Sequence, residues 1–164
     1  MVDVEPGEEL SFSDKVNVPE AKAIADAVEA VRMLREANGM EFSAERTVGV
    51  IVPYRNQIAV VRDELAKRHY DYDGITIDTV ERYQGSERDV IIYGFTVSRH
   101  TQLDFLTSNT FVEDGVTIDR KLNVALTRAR EQNVIVCNRQ LVSSDPLFAS
   151  LADYVERNGA VVGY

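Results

Sequence analysis

Short runs of apolar, largely β-branched residues alternate along this chain with amphipathic stretches, and no other feature limits its fold so strongly. "TVGVIVP" (47–53), "GITIDTV" (74–80), "DVIIYGFTV" (89–97) and "QNVIVCN" (132–138) are each too short for a helix and have no polar face. Strands of that kind are buried on both sides. Between them, "PEAKAIADAVEAVRMLREANG" carries Ile24, Val28 and Val31 at helical spacing, with Pro19 in its first turn and Gly39 as a stop. "YRNQIAVVRDELAKRH" places Ile58, Val61 and Leu65 on one face, which makes Asp63 and Glu64 a solvated face. "RKLNVALTRAR" (120–130) reads as a third helix, and "DPLFASLADYVERNG" as a fourth with Asp145 as its cap; "AVVGY" is a final strand. Residues 98–119 have weak periodicity and read as the longest irregular segment. Alternation of this kind specifies an α/β fold, a parallel sheet with helices on both faces. Ligands of such sheets bind beyond the carboxyl ends of the strands, so the residues after each strand are the ones to inspect.

A chain of 164 residues, 45% of them hydrophobic, is one domain's worth. No apolar run approaches the ~18 residues of a membrane span. The acidic start lacks the apolar centre of a signal peptide. The single cysteine, Cys137, sits in an apolar run and reads as a buried, inert thiol, as expected of a cytoplasmic protein. Net charge is −9, which argues against a simple electrostatic nucleic-acid binder. The charge is uneven, however. Residues 1–20 carry Asp3, Glu5, Glu8, Glu9, Asp14 and Glu20 against Lys15, whereas residues 119–130 carry Arg120, Lys121, Arg128 and Arg130 against Asp119. A local positive site on an acidic body suits one compact anion.

Common catalytic motifs are absent. The sequence holds neither a G-x-x-x-x-G-K-[ST] phosphate loop nor a G-x-G-x-x-G fingerprint. His69 and His100 have no second ligand at metal spacing, and Asp71 with Asp73 reads as turn chemistry. Two segments stand out. In "YQGSERD", Gly85 permits either a tight turn or close backbone approach to a ligand, with Gln84 and Glu87 beside it. In "RKLNVALTRAR", Leu122, Ala125, Leu126 and Ala129 form a buried stripe, while Arg128 and Arg130 diverge around the helix, so that one lies along the rim of the sheet and the other points away.

The order "VPYRNQ", "TVERYQGSERDVII", "RKLNVALTRAR" closely resembles motifs IV, V and VI of superfamily 1 helicases, in the 5′-to-3′ branch that includes the nonsense-mediated-decay helicase and its DNA-acting relatives. "NVPEAKAIADAV" is similar to the Asn-x-x-Glu-Ala helix that precedes motif IV there. Tyr83 stands where Phe is usual, Lys121 replaces an Arg and loses its bidentate fork, and the segment between motifs V and VI is longer than in the family pattern. The resemblance implies a second, C-terminal RecA-like motor domain over residues 17–164, after an acidic lead-in at 1–16 that is expected to be disordered. It implies that ATP and Mg are bound mainly by an N-terminal RecA-like domain of a longer chain, and that this fragment alone hydrolyses none. Arg128 resembles the arginine finger, Glu87 the ribose-binding glutamate, and Gly85 with Gln84 the loop near the phosphates. Arg130 is the second-choice phosphate ligand or a salt-bridge partner. Tyr54 and Gln57, with Pro53, are implied in the cleft wall, with packing alone open for Tyr54. Thr79 and Arg82 look like the residues near single-stranded DNA or RNA. Two other functions are compatible with the residues alone: a nucleotide-binding regulatory module without motor activity, and a plain interaction domain.

Overall fold

The structure is a computed structural model that describes residues 1–5, 15–83 and 86–164. The elements follow in the order β1 (Val2–Asp3), α1 (Val18–Ala37), β2 (Val48–Ile51), α2 (Arg55–Ala66), β3 (Thr76–Asp78), β4 (Arg88–Gly94), α3 (Leu103–Leu106), β5 (Thr110–Glu113), β6 (Val116–Asp119), α4 (Arg120–Leu126), β7 (Ala129–Cys137), α5 (Arg139–Val142), α6 (Pro146–Asn158) and β8 (Val162–Gly163). The main sheet has the order β3-β2-β4-β7-β1-β8, and every pairing in it is parallel. The parallel α/β sheet expected from the alternating pattern is therefore present, in the RecA-like form that the resemblance implies.

The alternation of side chains along each strand divides the core in two. Val90 and Ile92 of β4 face Ile24 and Val28 of α1 and Val61 of α2. Ile91 and Tyr93 face the other way, toward Tyr83, Leu122, Ala125 and Phe148. Asn17 caps α1 by accepting from the Glu20 N–H at 3.0 Å, and Asp145 caps α6 by accepting from the Leu147 N–H at 2.9 Å. Cys137 is buried, and burial pushes its thiol pKa up, away from the reactive thiolate.

Several expectations are corrected. The lead-in is not wholly outside the domain: Val2 and Asp3 pair with Val136 and Cys137 on one side and with Val162 and Gly163 on the other. An acidic composition does not stop two residues from filling a slot whose backbone groups need partners on both sides. Glu64 is buried, with its carboxylate 2.6 Å from Lys67 Nζ, whereas Asp63 is exposed. The "irregular" stretch holds α3, flanked by 3-10 turns, and the antiparallel hairpin β5–β6. Asp114 and Gly115 both adopt positive φ, 51° and 79°, at the turn of this hairpin, as an Asp-Gly pair favours. The helix predicted for 120–130 stops at Leu126, and Ala129 and Arg130 begin β7. Parallel pairing with Arg88 gives that backbone hydrogen bonds that a fraying helix end does not.

One buried acid fixes the end of β4. Glu20 is 0% exposed and accepts from the backbone N–H of Thr96 at 2.6 Å and of Val97 at 3.2 Å, and from Asn17 Nδ2 at 3.1 Å. Thr96 is held in the left-handed region at φ 56°, a strained position for a β-branched residue. Burial raises the Glu20 pKa from 4.5 to about 8, against the pull of the N–H donors. Between those values the folded state keeps a proton that the unfolded chain has lost. The contribution of Glu20 to stability is thus complete below 4.5 and declines as pH rises toward 8, by up to about 1.4 kcal/mol per pH unit. Thermal unfolding at about pH 5.5 and about pH 8 is expected to show this fall, with a flatter profile in Glu20→Gln. Equal slopes in both proteins would remove Glu20 as its source.

Candidate functional site

Because the strands of the main sheet are parallel, its two rims have different contents. One rim collects the carboxyl ends: Pro53 to Arg55 after β2, Thr79 to Arg82 after β3, and Phe95 to Val97 after β4. The other collects the amino ends, with Glu87 immediately before β4 and Arg128 immediately before β7. The residues of β4 hold the rims roughly 20 Å apart. The sequence-predicted residues are divided between them, so the rule that points only to carboxyl ends does not gather the site. Tyr54, Gln57, Thr79 and Arg82 belong to the carboxyl side, and Glu87, Arg128 and Arg130 to the amino side. Gln84 and Gly85 lie outside the described residues.

At the amino rim the Arg88 N–H donates to the Arg128 carbonyl at 3.1 Å, which sets the two motif segments side by side. Arg130 Nε lies 3.2 Å from Glu87 Oε2, in a pair whose side chains are both more than half exposed. Such a pair contributes little to stability. Arg128 folds over the last turn of α4: its Nε donates to the Val124 carbonyl at 3.2 Å and its Nη2 to Thr127 Oγ1 at 3.3 Å. The negative end of a helix dipole suits a guanidinium there. Among the described residues no carboxylate pairs with Arg128. In this conformation Arg130 is a salt-bridge partner, and Arg128 is the cation with donor capacity to spare.

Two of the crossovers between the rims carry candidate site residues. The 79–87 segment leaves β3 at the carboxyl side and returns to the amino end of β4, crossing β2 on the way. Tyr83, 1% exposed, is seated on Gly49 of β2, where an added Cβ would come 1.7 Å from the tyrosine hydroxyl. That hydroxyl makes no hydrogen bond among the described residues; the neighbouring Thr76 hydroxyl already accepts from Arg88 Nη2 at 2.8 Å. Helix α4 runs alongside, with Asp119 accepting from the Leu122 N–H at 2.9 Å as its cap. Lys121 Nζ sits 2.8 Å from Glu81 Oε1 and joins the starts of both segments. The same lysine holds the Glu81 carboxyl below its ordinary pKa.

At the carboxyl rim Arg82 is exposed, with Asp78 Oδ2 no closer than 4.0 Å. Thr79 is nearly buried, and its N–H donates to Asp78 Oδ1 at 2.8 Å. Gln57 is fully buried; its Nε2 donates to the Asn17 carbonyl at 2.8 Å and its Oε1 accepts from the Asn17 N–H at 2.8 Å. With its amide satisfied, Gln57 ties the start of α1 to α2. Tyr54 is buried under Phe105, with ring centroids 5.3 Å apart and planes 28° from parallel. Burial also raises its hydroxyl pKa. In this structure Tyr54 packs against Phe105 at the foot of the rim. Sequence reasoning missed Phe105, in a stretch without periodicity. It also passed over Arg55, an exposed cation that begins α2 and has no ion pair among the described residues. Its place inside "PYRNQ", after a strand end, was the available signal.

Among the described residues no group of His, Cys, Asp and Glu is placed to hold a metal ion, and no helix is long and apolar enough to cross a membrane. The sequence matches the family described as AAA domain over residues 1–140. It is 31% identical over 115 residues to "DNA-binding protein SMUBP-2" of Mesocricetus auratus, covering 70% of this chain and 10% of that protein. It is 29% identical over 142 residues to "RNA helicase Mov10l1" of Homo sapiens, covering 85% of this chain and 11% of that protein. The chain spans between 10% and 16% of the length of such curated relatives. With three helicase motifs in order, a parallel RecA-like sheet beneath them and a family match over most of its length, the chain belongs to the AAA domain family as a superfamily 1 helicase motor domain of the C-terminal type.

Proposed function

We propose that the chain is the second motor domain of an ATP-dependent helicase that acts on single-stranded DNA or RNA. The observation that carries this reading is the division of the site. Arg128, without a carboxylate partner among the described residues, stands with Glu87 on one rim, and Thr79 and Arg82 stand on the other. The donor set fits a polyphosphate: a guanidinium that stays charged, a second one at Arg130, and a carboxylate able to accept from sugar hydroxyls. ATP with Mg, held mainly by an N-terminal RecA-like domain of the same longer chain, supplies the phosphoryl group whose transfer to water powers the motor.

Arg128 places positive charge against the γ-phosphate oxygens, where it stabilises the transition state. Glu87 accepts from the ribose once it leaves Arg130, a small cost for an exposed pair, and Arg130 becomes a second cation at that rim. Gln84 and Gly85 belong to the same loop in this reading. At the far rim the Thr79 hydroxyl and Arg82 contact phosphates, which positions a strand without reading its sequence. Arg128 is fixed to the end of α4 and Glu87 to the end of the 79–87 segment. Closure at the nucleotide rim therefore moves the groups at the opposite rim with it, which is how domain closing and opening would step along a strand.

In the longer protein, Arg82→Ala is expected to weaken single-strand binding about equally for all sequences and to reduce the salt slope by about 1, with nucleotide affinity retained. Binding and slope indistinguishable from the parent protein would remove this rim from the nucleic-acid path.

A further inference from the structure

Phe105 is 49% exposed, although it lies on a turn of helix whose Leu103 and Leu106 are both buried. Those neighbours fix the turn, and the ring is backed by the stacked, buried Tyr54 at 5.3 Å. Lys121 Nζ stands 5.4 Å from the ring centroid, and Val80 and Glu81 of the 79–87 segment line the same small cleft as Phe105. The result is a half-exposed aromatic ring held between a stacked tyrosine and a lysine ammonium, beside the rim that carries Thr79, Arg82 and Arg55. Other exposed aromatic rings stand elsewhere: Tyr70 next to Asp71 and Asp73, Tyr154 on α6, and Tyr164 after the edge strand β8. A half-exposed ring that is already immobilised loses little conformational entropy when a second flat group covers it. Nucleic-acid bases are such groups, and every base has a π face.

We propose that Phe105 is a base-stacking residue, which takes one unpaired base of single-stranded nucleic acid against the exposed part of its ring, with the flexible Lys121 side chain moving aside to a phosphate, while Arg82 and Arg55 engage the flanking phosphates. This rests on the reading of the carboxyl rim as the nucleic-acid side, and adds to it a contact with a base where the motif residues reach only the backbone. Lys121 neutralises Glu81 beside the ring, so that an approaching phosphate meets no net negative charge from that pair. Stacking on a single ring is tolerant of base identity, as a translocating motor requires.

The chain contains no tryptophan, so Phe105→Trp installs a single indole at the proposed contact. Titration of that variant with oligo(dT), oligo(rU) and an abasic strand of equal length is expected to give saturable quenching with the first two and none with the third. Phe105→Leu, at a half-exposed position and checked by its melting curve, is expected to bind the base-bearing strands roughly 5- to 100-fold more weakly. Its binding of the abasic strand is expected to be unchanged. Equal quenching by the abasic strand, or an undiminished affinity in Phe105→Leu, would overturn the stacking role; Arg82→Ala would still weaken binding if the nucleic-acid rim itself is correct. Absence of binding by the unaltered chain to any of the three strands would overturn both.

Discussion

Arg128→Ala in the longer motor protein is expected to slow ATP turnover by about 10³- to 10⁵-fold while the domain melts within a few degrees of the parent. The rate loss corresponds to about 4–7 kcal/mol of transition-state stabilisation, the usual worth of a guanidinium in phosphoryl transfer. The small effect on folding follows from the contacts of the side chain, a carbonyl and a hydroxyl of its own helix end, with no ion pair among the described residues to break. Arg128→Lys keeps the charge but loses the planar fork, and is expected to recover little of the rate. Arg130→Ala provides the contrast. It removes an exposed pair with Glu87, and its cost in turnover is expected to stay within about tenfold. Steady-state hydrolysis with saturating single strand measures all three. Near-normal turnover in Arg128→Ala would sink the arginine-finger assignment, and a larger loss in Arg130→Ala than in Arg128→Ala would transfer the role.

The second large effect is expected at a residue that touches no ligand. Gly49→Val should destabilise the domain by about 3 kcal/mol or more, enough to lower the thermal midpoint by roughly 6–12 °C. Gly49 pairs with Thr76 on one side and Ile91 on the other, so its backbone cannot shift without breaking the centre of the sheet. An added Cβ would stand 1.7 Å from Tyr83 Oη, 2.7 Å from its Cζ and 2.9 Å from Arg88 Cγ. Tyr83 is enclosed, with Arg88 over its ring at 5.7 Å, and must leave its seat to make room. The 79–87 segment would leave with it, and with that segment the position of Glu87. Gly49→Ala alone should already show much of the loss. Combined with Tyr83→Leu it should lose less than the two single effects added together, a coupling of about 1–3 kcal/mol. A Gly49→Ala protein that melts like the parent would show that Tyr83 has room to move.

How much of this was legible beforehand differs by element. The cap at Asp145 and the strands at 47–53, 74–80, 89–97 and 132–138 are local matters, set by residues a few positions apart, and each is present. The hairpin at 110–119 was also local, yet the Asp-Gly signal was hidden because β5 and β6 bury little and so lack a clear apolar face. Gly49 was not legible at all, because the need for a missing side chain comes from Tyr83, which belongs to another part of the chain.

The sequence by itself determined the α/β class, through the burial periods of its strands and helices, and it singled out Arg128 and Glu87 through the order of three motifs. Only the tertiary structure decided which candidates face solvent and which are internal. Gln57 spends its amide on Asn17, Tyr54 is covered by Phe105, and Ala129 and Arg130 leave the helix for a strand because Arg88, far upstream, pairs with Ala129. The same arrangement put Arg128 on one rim and Thr79 with Arg82 on the other. The physical reason is common to all of these: a residue's own neighbours in sequence set its local conformation, but its exposure and its hydrogen-bond partners are set by whatever distant segment packs against it.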